Sequence, residues 1–455
     1  MDYAQESCAN TFAFGNGAQV LVRLFGKNFR SLKESFELSL VAANLTREED
    51  RERGLVELQL SGMSEPLRLL RSVAIYGPNA AGKSTVLTAA RALNWLAVES
   101  SSSSKPDGKI PPYEPFLLDD NSRTNSIELG CDFICNKSLM RYEISYGAKA
   151  IQRETLTRLR DSREEKLIDR LPTGEVRGSL ITKSDANRLY VKEMQPNVAV
   201  LSKLAQHGPH RGPDSVQPFY KALRNATRHE DYSNAAGLLY ATGNSKDERF
   251  TDDLAYREWI MHHLIKTADV GICDVSATRE PLKIPEELRE FLEKSSGGSS
   301  LPETSVVVSF VHQGQTNRQI DFSNESSGTK KLYHIAGDWW SLANESVTLL
   351  TDELSASLHR RLLDRLIRSV NEASDRVRSQ LIFTTHDTGL LESQDGLPPA
   401  LRRDQVYFTR KDAFGASELY SLTEFKDDAR PVHNIRKRYL SGLYGALPSV
   451  EMLSL

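Results

Sequence analysis

The stretch VAIYGPNAAGKST, Val73 to Thr85, constrains the fold of this chain more than any other. Gly77-Pro78-Asn79-Ala80-Ala81-Gly82-Lys83-Ser84 satisfies the spacing G-x-x-x-x-G-K-[ST] at every position. Its glycines let the backbone wrap closely, so that successive N–H groups turn inward toward phosphate oxygens. The apolar run LLRSVAIYG before it predicts a buried strand. KSTVLTAARALNWLAV after it carries apolar residues at helical spacing, so a helix opens at the glycine-rich turn and places its positive end there. In such a loop the backbone from Gly77 through Ala81 and Gly82 surrounds the phosphates; Lys83 reaches the β- and γ-phosphates and Ser84 ligates Mg²⁺. A strand–loop–helix of this kind belongs to an α/β chain.

Three further segments extend the chemistry. SVTLLTDE is an apolar strand ending in Asp352 and Glu353, an acid for the Mg²⁺ shell followed by one able to polarise the attacking water. Its bland alternative is an acidic strand end capped by solvent. No guanine-reading N-K-x-D occurs, since TRKD (Thr409 to Asp412) lacks the Asn, so the expected nucleotide is ATP. FTTHD sets His386 just past another apolar strand, where it can touch the γ-phosphate and the attacking water. In NESSGTKKL a helix is expected to begin near Thr329, after Ser326, Ser327 and Gly328. These three could grip a phosphate at the helix start, best used across a dimer because the first loop already forms a complete cradle; the alternative is an ordinary Ser/Gly cap.

At 455 residues the chain is expected to form two lobes or domains. Residues 1–154 read as an N-terminal lobe with the P-loop, 155–304 as a mainly helical insertion, and 305–455 as a C-terminal lobe. From Val20, VLVRLFGKNFRSLKESFELSL alternates around a turn and predicts a hairpin; SIELGCDFI and LMRYEISYG predict paired strands joined by CNKS. ETLTRLRDSREEKLIDRL, DDLAYREWIMHHLIKTAD and EELREFLEKSSGGSS read as polar helices, with a strand-like VGICDVSA among them. The pattern returns to α/β at TSVVVSFVHQG. A net charge of −3 does not suit a chain that coats nucleic acid, although a local basic face is compatible with it. No run of about 18 apolar residues is present, and MDYAQESCANTFAFGNG has no secretory pattern, so no membrane association and a cytoplasmic location are expected. Cys131 and Cys135 share a strand face and read as buried thiols rather than zinc ligands.

The order of P-loop, SSGTKK, LLTDELSASLH and TTH resembles the ABC-type ATPase head of SMC and DNA-repair ATPases. More narrowly, GKNFRSLKESFELSL, YGPNAAGKST, PFLLDDNSR, KTADVGICDV, NESSGTKKL, DELSASLH and YLSGLYGALP resemble the ATP-binding proteins of bacterial abortive-infection and anti-phage systems, such as the ATPase subunits in PARIS, Septu, AbiL and some retron loci. The resemblance covers roughly residues 20–150 and 265–450. It implies a P-loop NTPase of ABC/SMC-head type with an inserted helical region. Asn79, Gly82, Lys83, Ser84 and Thr85 would bind phosphate and Mg²⁺, Asp352 would serve the metal, Glu353 would be the base, His386 the switch, and Ser326 to Gly328 would act in trans. It also implies a dimer or higher oligomer and a separately encoded effector such as a nuclease, triggered by a phage protein or nucleic acid. Three features depart from the pattern: the signature lacks two glycines and Gln, PPYEPFLL offers no Q-loop glutamine, and Leu358-His359-Arg360 lacks a proline. Arg30 in NFRS approaches the nucleotide or is a surface arginine. The competing expectation is an SMC-like DNA-repair clamp, with basic faces in RRLLDRLIR and NIRKRYL to hold duplex DNA.

Overall fold

The computed structural model describes residues 19–45, 53–160, 163–230, 252–265, 271–281, 304–356, 358–394, 396–425 and 434–447. The chain opens with β1 (Leu21–Lys27) and β2 (Phe36–Ser39), then β3 (Leu55–Leu58), β4 (Leu67–Leu70), β5 (Ser72–Tyr76) and α1 (Lys83–Asn94). A long antiparallel run follows: β6 (Ile127–Cys135), β7 (Ser138–Tyr146), β8 (Ile151–Arg160), β9 (Arg163–Arg170) and β10 (Val176–Arg177). Next come α2 (Asp185–Lys192), α3 (Val200–His207), α4 (Gln217–Ala226), β11 (Arg228–Glu230), α5 (Leu254–Ile260), β12 (Ile272–Pro281), β13 (Thr304–His312) and β14 (Arg318–Asp321). The last part holds α6 (Ser327–Asn344), β15 (Thr348–Thr351), α7 (Arg360–Asn371), β16 (Gln380–Thr384), β17 (Val406–Lys411), β18 (Ser417–Ser421) and α8 (Ile435–Leu440).

Two large sheets result. One has seven antiparallel strands in the order β10-β9-β8-β7-β6-β1-β2. The other has six in the order β11-β15-β16-β5-β17-β18, parallel except for the last. Every residue of β5 is buried, as a central strand covered on both faces requires. Alternation then divides its side chains. Val73 and Ile75 join the core that holds Leu87, Leu93 and Ile127, whereas Ala74 and Tyr76 join the core of α6 and α7 on the other side. The second core is rich in aromatics. Tyr439 of α8 lies 5.8 Å from Tyr76 and 5.4 Å from Phe408, ring centre to ring centre. No helix among the described residues is long and apolar enough to cross a membrane.

The hairpins expected from Val20 onward and from SIELGCDFI to LMRYEISYG form, and Cys131 and Cys135 are buried. Residues 154–171 correct the sequence reading. ETLTRLRDSREEKLIDRL is no helix; it forms most of the β8–β9 hairpin, so the boundary drawn at 154 falls inside a strand. Its Glu, Arg, Lys and Leu favour helices locally, but β7 offers an edge to pair with, and Leu156 sits opposite Ile168 with both fully buried. Glu154, also fully buried, accepts hydrogen bonds from the Val200 and Leu201 N–H groups at 2.6 and 3.0 Å and from the Tyr142 hydroxyl at 3.0 Å. It thus caps α3 and fastens the helices to the sheet, while burial pushes its own pKa up. EELREFLEKSSGGSS and the N-terminal MDYAQESCANTFAFGNG fall outside the described residues.

Candidate functional site

Strand order brings the distant segments together. β15, β16 and β5 are neighbours, with Thr351 opposite Phe383 and Thr384 opposite Ile75, so their carboxyl ends finish at one level. Asp352 and Glu353, Thr384 to His386, and the P-loop therefore share one rim, the edge where open parallel sheets bind ligands.

The P-loop is shaped as a cradle. Gly77 has φ 153° and Gly82 φ 102°; a β-carbon on them would lie 2.4 Å from Thr409 Oγ1 and 2.6 Å from Ser417 Oγ. Lys83 Nζ donates to the carbonyls of Gly77 at 3.1 Å and Pro78 at 3.0 Å. Burial lowers its pKa, and the charges of Asp352 and Glu353 partly offset that. Asn79 and Ser84 are exposed at the mouth, while Ala81 and Gly82 are buried beneath it. Thr85 Oγ1 lies 3.3 Å from Ser31 Oγ, and the Ser417 N–H donates to Ser31 O at 2.6 Å. Among the described residues, the buried Ser417 hydroxyl beside Gly82 has no hydrogen-bond partner. Glycines that tolerate no side chain, a buried hydroxyl and a helix N-terminus opening at α1 suit a polyphosphate. Ser84 and Asp352 are the oxygen ligands suited to Mg²⁺.

Opposite the cradle, Thr384 organises the acids. Its hydroxyl donates to Asp352 Oδ1 and accepts from the Glu353 N–H at 2.8 Å. Glu353 has φ 45°, a left-handed backbone uncommon for a residue with a β-carbon. Lys331 Nζ donates to the Glu353 carbonyl at 2.7 Å. Burial and the charge of Lys83 hold the His386 pKa below its usual value, against Glu353 and Asp352, which raise it. The shift favours the uncharged imidazole, which has a nitrogen lone pair able to accept a hydrogen bond.

The structure thus gathers Lys83, Asp352, Glu353 and His386 within electrostatic reach of one another. Ser326 to Gly328 behave differently. Ser326 is the N-cap of α6, accepting from the Thr329 N–H at 3.1 Å. Ser327 and Gly328 supply first-turn N–H groups that no helix can satisfy internally. Among the described residues no hydrogen bond joins these three to the P-loop of the same chain. Arg30 takes the surface alternative: its guanidinium pairs with Glu114, and its N–H donates to Glu114 O at 2.7 Å. Sequence reasoning gave no role to Thr384, Lys331, Ser31, Thr409 or Ser417. Thr384 lies within FTTHD and Lys331 within NESSGTKKL, but their partners follow from strand register. Nothing local marks Ser417.

A family profile described as "AAA domain, putative AbiEii toxin, Type IV TA system" matches residues 72–392. Solved structures similar to the chain include the SMC head domain from Thermotoga maritima, at 15% identity and TM-score 0.36, covering 88% of this chain and 98% of that one. Another is the SmcHead bound to the C-winged helix domain of ScpA, at 14% and 0.42, covering 89% and 99%. A third is the Smc head domain with an extended coiled coil bound to the C-terminal domain of ScpA derived from Pyrococcus furiosus, at 12% and 0.41, covering 93% and 99%. No curated protein matches. The profile spans more than half of the 455 residues and includes the P-loop, Asp352, Glu353 and His386, and the chain belongs to this family of AAA domains.

Proposed function

We propose that the protein binds and hydrolyses ATP as the regulatory, sensing subunit of an abortive-infection defence system, controlling a separate effector such as a nuclease through ATP-dependent assembly. The observation that carries the reading is the convergence of Lys83, Asp352, Glu353 and His386 on one sheet edge. The family description, with its abortive-infection toxin, supports the cellular role. Bound Mg²⁺ would supply a counter-charge to the phosphates. Lys83 exchanges its two backbone carbonyls for phosphate oxygens, Ser84 and Asp352 would hold the metal, Glu353 takes the proton of the attacking water, and His386 orients that water. Ser327 and Gly328 offer their free N–H groups to the triphosphate of a second copy, so occupancy favours assembly through the affinity difference between separate and paired subunits. We place the protein in the cytoplasm, and its trigger among phage proteins or nucleic acids.

The test is retention of labelled ATP by Glu353→Gln through gel filtration, beside its steady-state turnover. The variant is expected to hold ATP without releasing phosphate; turnover equal to that of the unaltered protein removes Glu353 from the role of base. No observation favours the DNA clamp in particular. Of the four arginines in α7, Arg360 is paired with Glu392 and Arg368 with Asp364. Salt-sensitive duplex binding abolished by Lys83→Ala would revive that reading.

A further inference from the structure

Glu353 is the residue whose aim matters most, and its backbone is held from three directions. Thr384 of β16 binds its N–H at 2.8 Å. Its carbonyl accepts from the Ala356 N–H of its own turn at 3.0 Å and from Lys331 Nζ at 2.7 Å. The left-handed φ of 45° explains why so much support is present, because such a conformation is strained for a residue with a β-carbon and persists where the surroundings enforce it. Lys331 differs from the other two partners in its origin. It stands on α6, five residues after the cap Ser326, on the helix whose first turn carries Ser327 and Gly328. Its ammonium is half-buried between helix and turn and faces the charges of Glu353 and Asp352. A lysine serving solubility would extend into water; this one is folded onto a backbone carbonyl.

We propose that Lys331 is a positioning residue for Glu353, fixing the left-handed turn that aims the carboxylate and tying it to α6. The inference rests on the reading of Glu353 as the base. Its consequence concerns two sites at once. In an assembly, the first turn of α6 meets the triphosphate of the partner subunit, while Lys331 on the same helix sets the base of its own subunit. A shift of α6 upon engagement is therefore transmitted to the other active site, and the two hydrolytic events are coupled without a contact between the nucleotides.

The test compares Lys331→Met and Lys331→Arg in the full chain by single-turnover hydrolysis, equilibrium binding of a fluorescent ATP analogue, thermal melting, and amide exchange of peptides spanning Glu353 to Ala356. Lys331→Met is expected to slow hydrolysis about tenfold while leaving the Kd within about twofold, the pattern of a group that acts in the transition state. Exchange at Glu353–Ala356 is expected to quicken in the absence of any nucleotide. Lys331→Arg, which keeps a charged donor, should restore hydrolysis to within about threefold. Unchanged hydrolysis and exchange in Lys331→Met overturn the inference. So does a joint fall of rate, affinity and melting temperature that arginine does not rescue, since this marks a merely structural lysine. Glu353→Gln separates the two levels. If it retains full turnover, the base assignment and this inference fall together; if it abolishes turnover while Lys331→Met has no effect, this inference alone fails.

Discussion

The six-stranded sheet and the seven-stranded sheet beside it use their strand ends in opposite ways. In the parallel one, β15, β16 and β5 all deliver their carboxyl ends to one edge, so the two acids, His386 and the P-loop meet there. In the antiparallel one, successive ends alternate between edges and no edge collects them. Its polar side chains instead pair across the strands: Asp132 of β6 holds Arg23 at 2.9 Å and Arg141 at 2.8 Å, and Glu143 accepts from Thr155 at 3.3 Å. The same backbone geometry thus assembles a site in one sheet and a scaffold in the other. Chemistry and stability should respond to different substitutions.

Glu353→Gln gives the largest separation. Turnover is expected to fall by roughly 10²–10⁴, the range for loss of a general base, with the melting temperature unchanged. Lys83→Ala should weaken ATP binding about a hundredfold, read by titration with a fluorescent analogue, because a charge-assisted contact to phosphate is lost. Leu156→Ala tests the other sheet. Fully buried on β8, it should lose about 2–5 kcal/mol of unfolding free energy in denaturant titrations while the folded protein keeps its ATP affinity. A change in affinity there would break the division between scaffold and site.

The smallest effect is one of pH. Burial brings the Lys331 pKa down to about 8, against the opposing pull of Glu353 and Asp352. The ammonium is intact below that value and is lost as pH rises through it. Turnover of the unaltered protein should decline by about twofold to threefold relative to Lys331→Arg between pH 7 and 9, since arginine keeps its charge. Parallel profiles for the two proteins would detach the ammonium from catalysis.

The parallel sheet was the more legible half. Its strands β5, β15 and β16 are short apolar runs buried on both faces, and each of these three ends in a motif whose spacing is local: GPNAAGKST, TDE and TTH. Residues 154–171 misled because their composition favours a helix while a neighbouring strand edge dictated otherwise. The α6 start reads from sequence as a phosphate grip or an ordinary cap, and in the structure Ser326 caps the helix. Thr384, Lys331 and Ser417 escaped notice for a common reason. Each acts on a partner brought near by strand register or by packing of a helix on the sheet, and sequence spacing does not encode such a meeting.

Mass photometry of Glu353→Gln with and without Mg²⁺–ATP tests most directly whether triphosphate is shared between copies. The chain mass is 51.0 kDa. ATP should shift the population to twice that mass or a higher multiple, and Gly328→Pro, which removes one first-turn N–H of α6, should prevent the shift while leaving ATP bound. An ATP-loaded variant whose mass distribution matches the nucleotide-free protein would contradict the shared site.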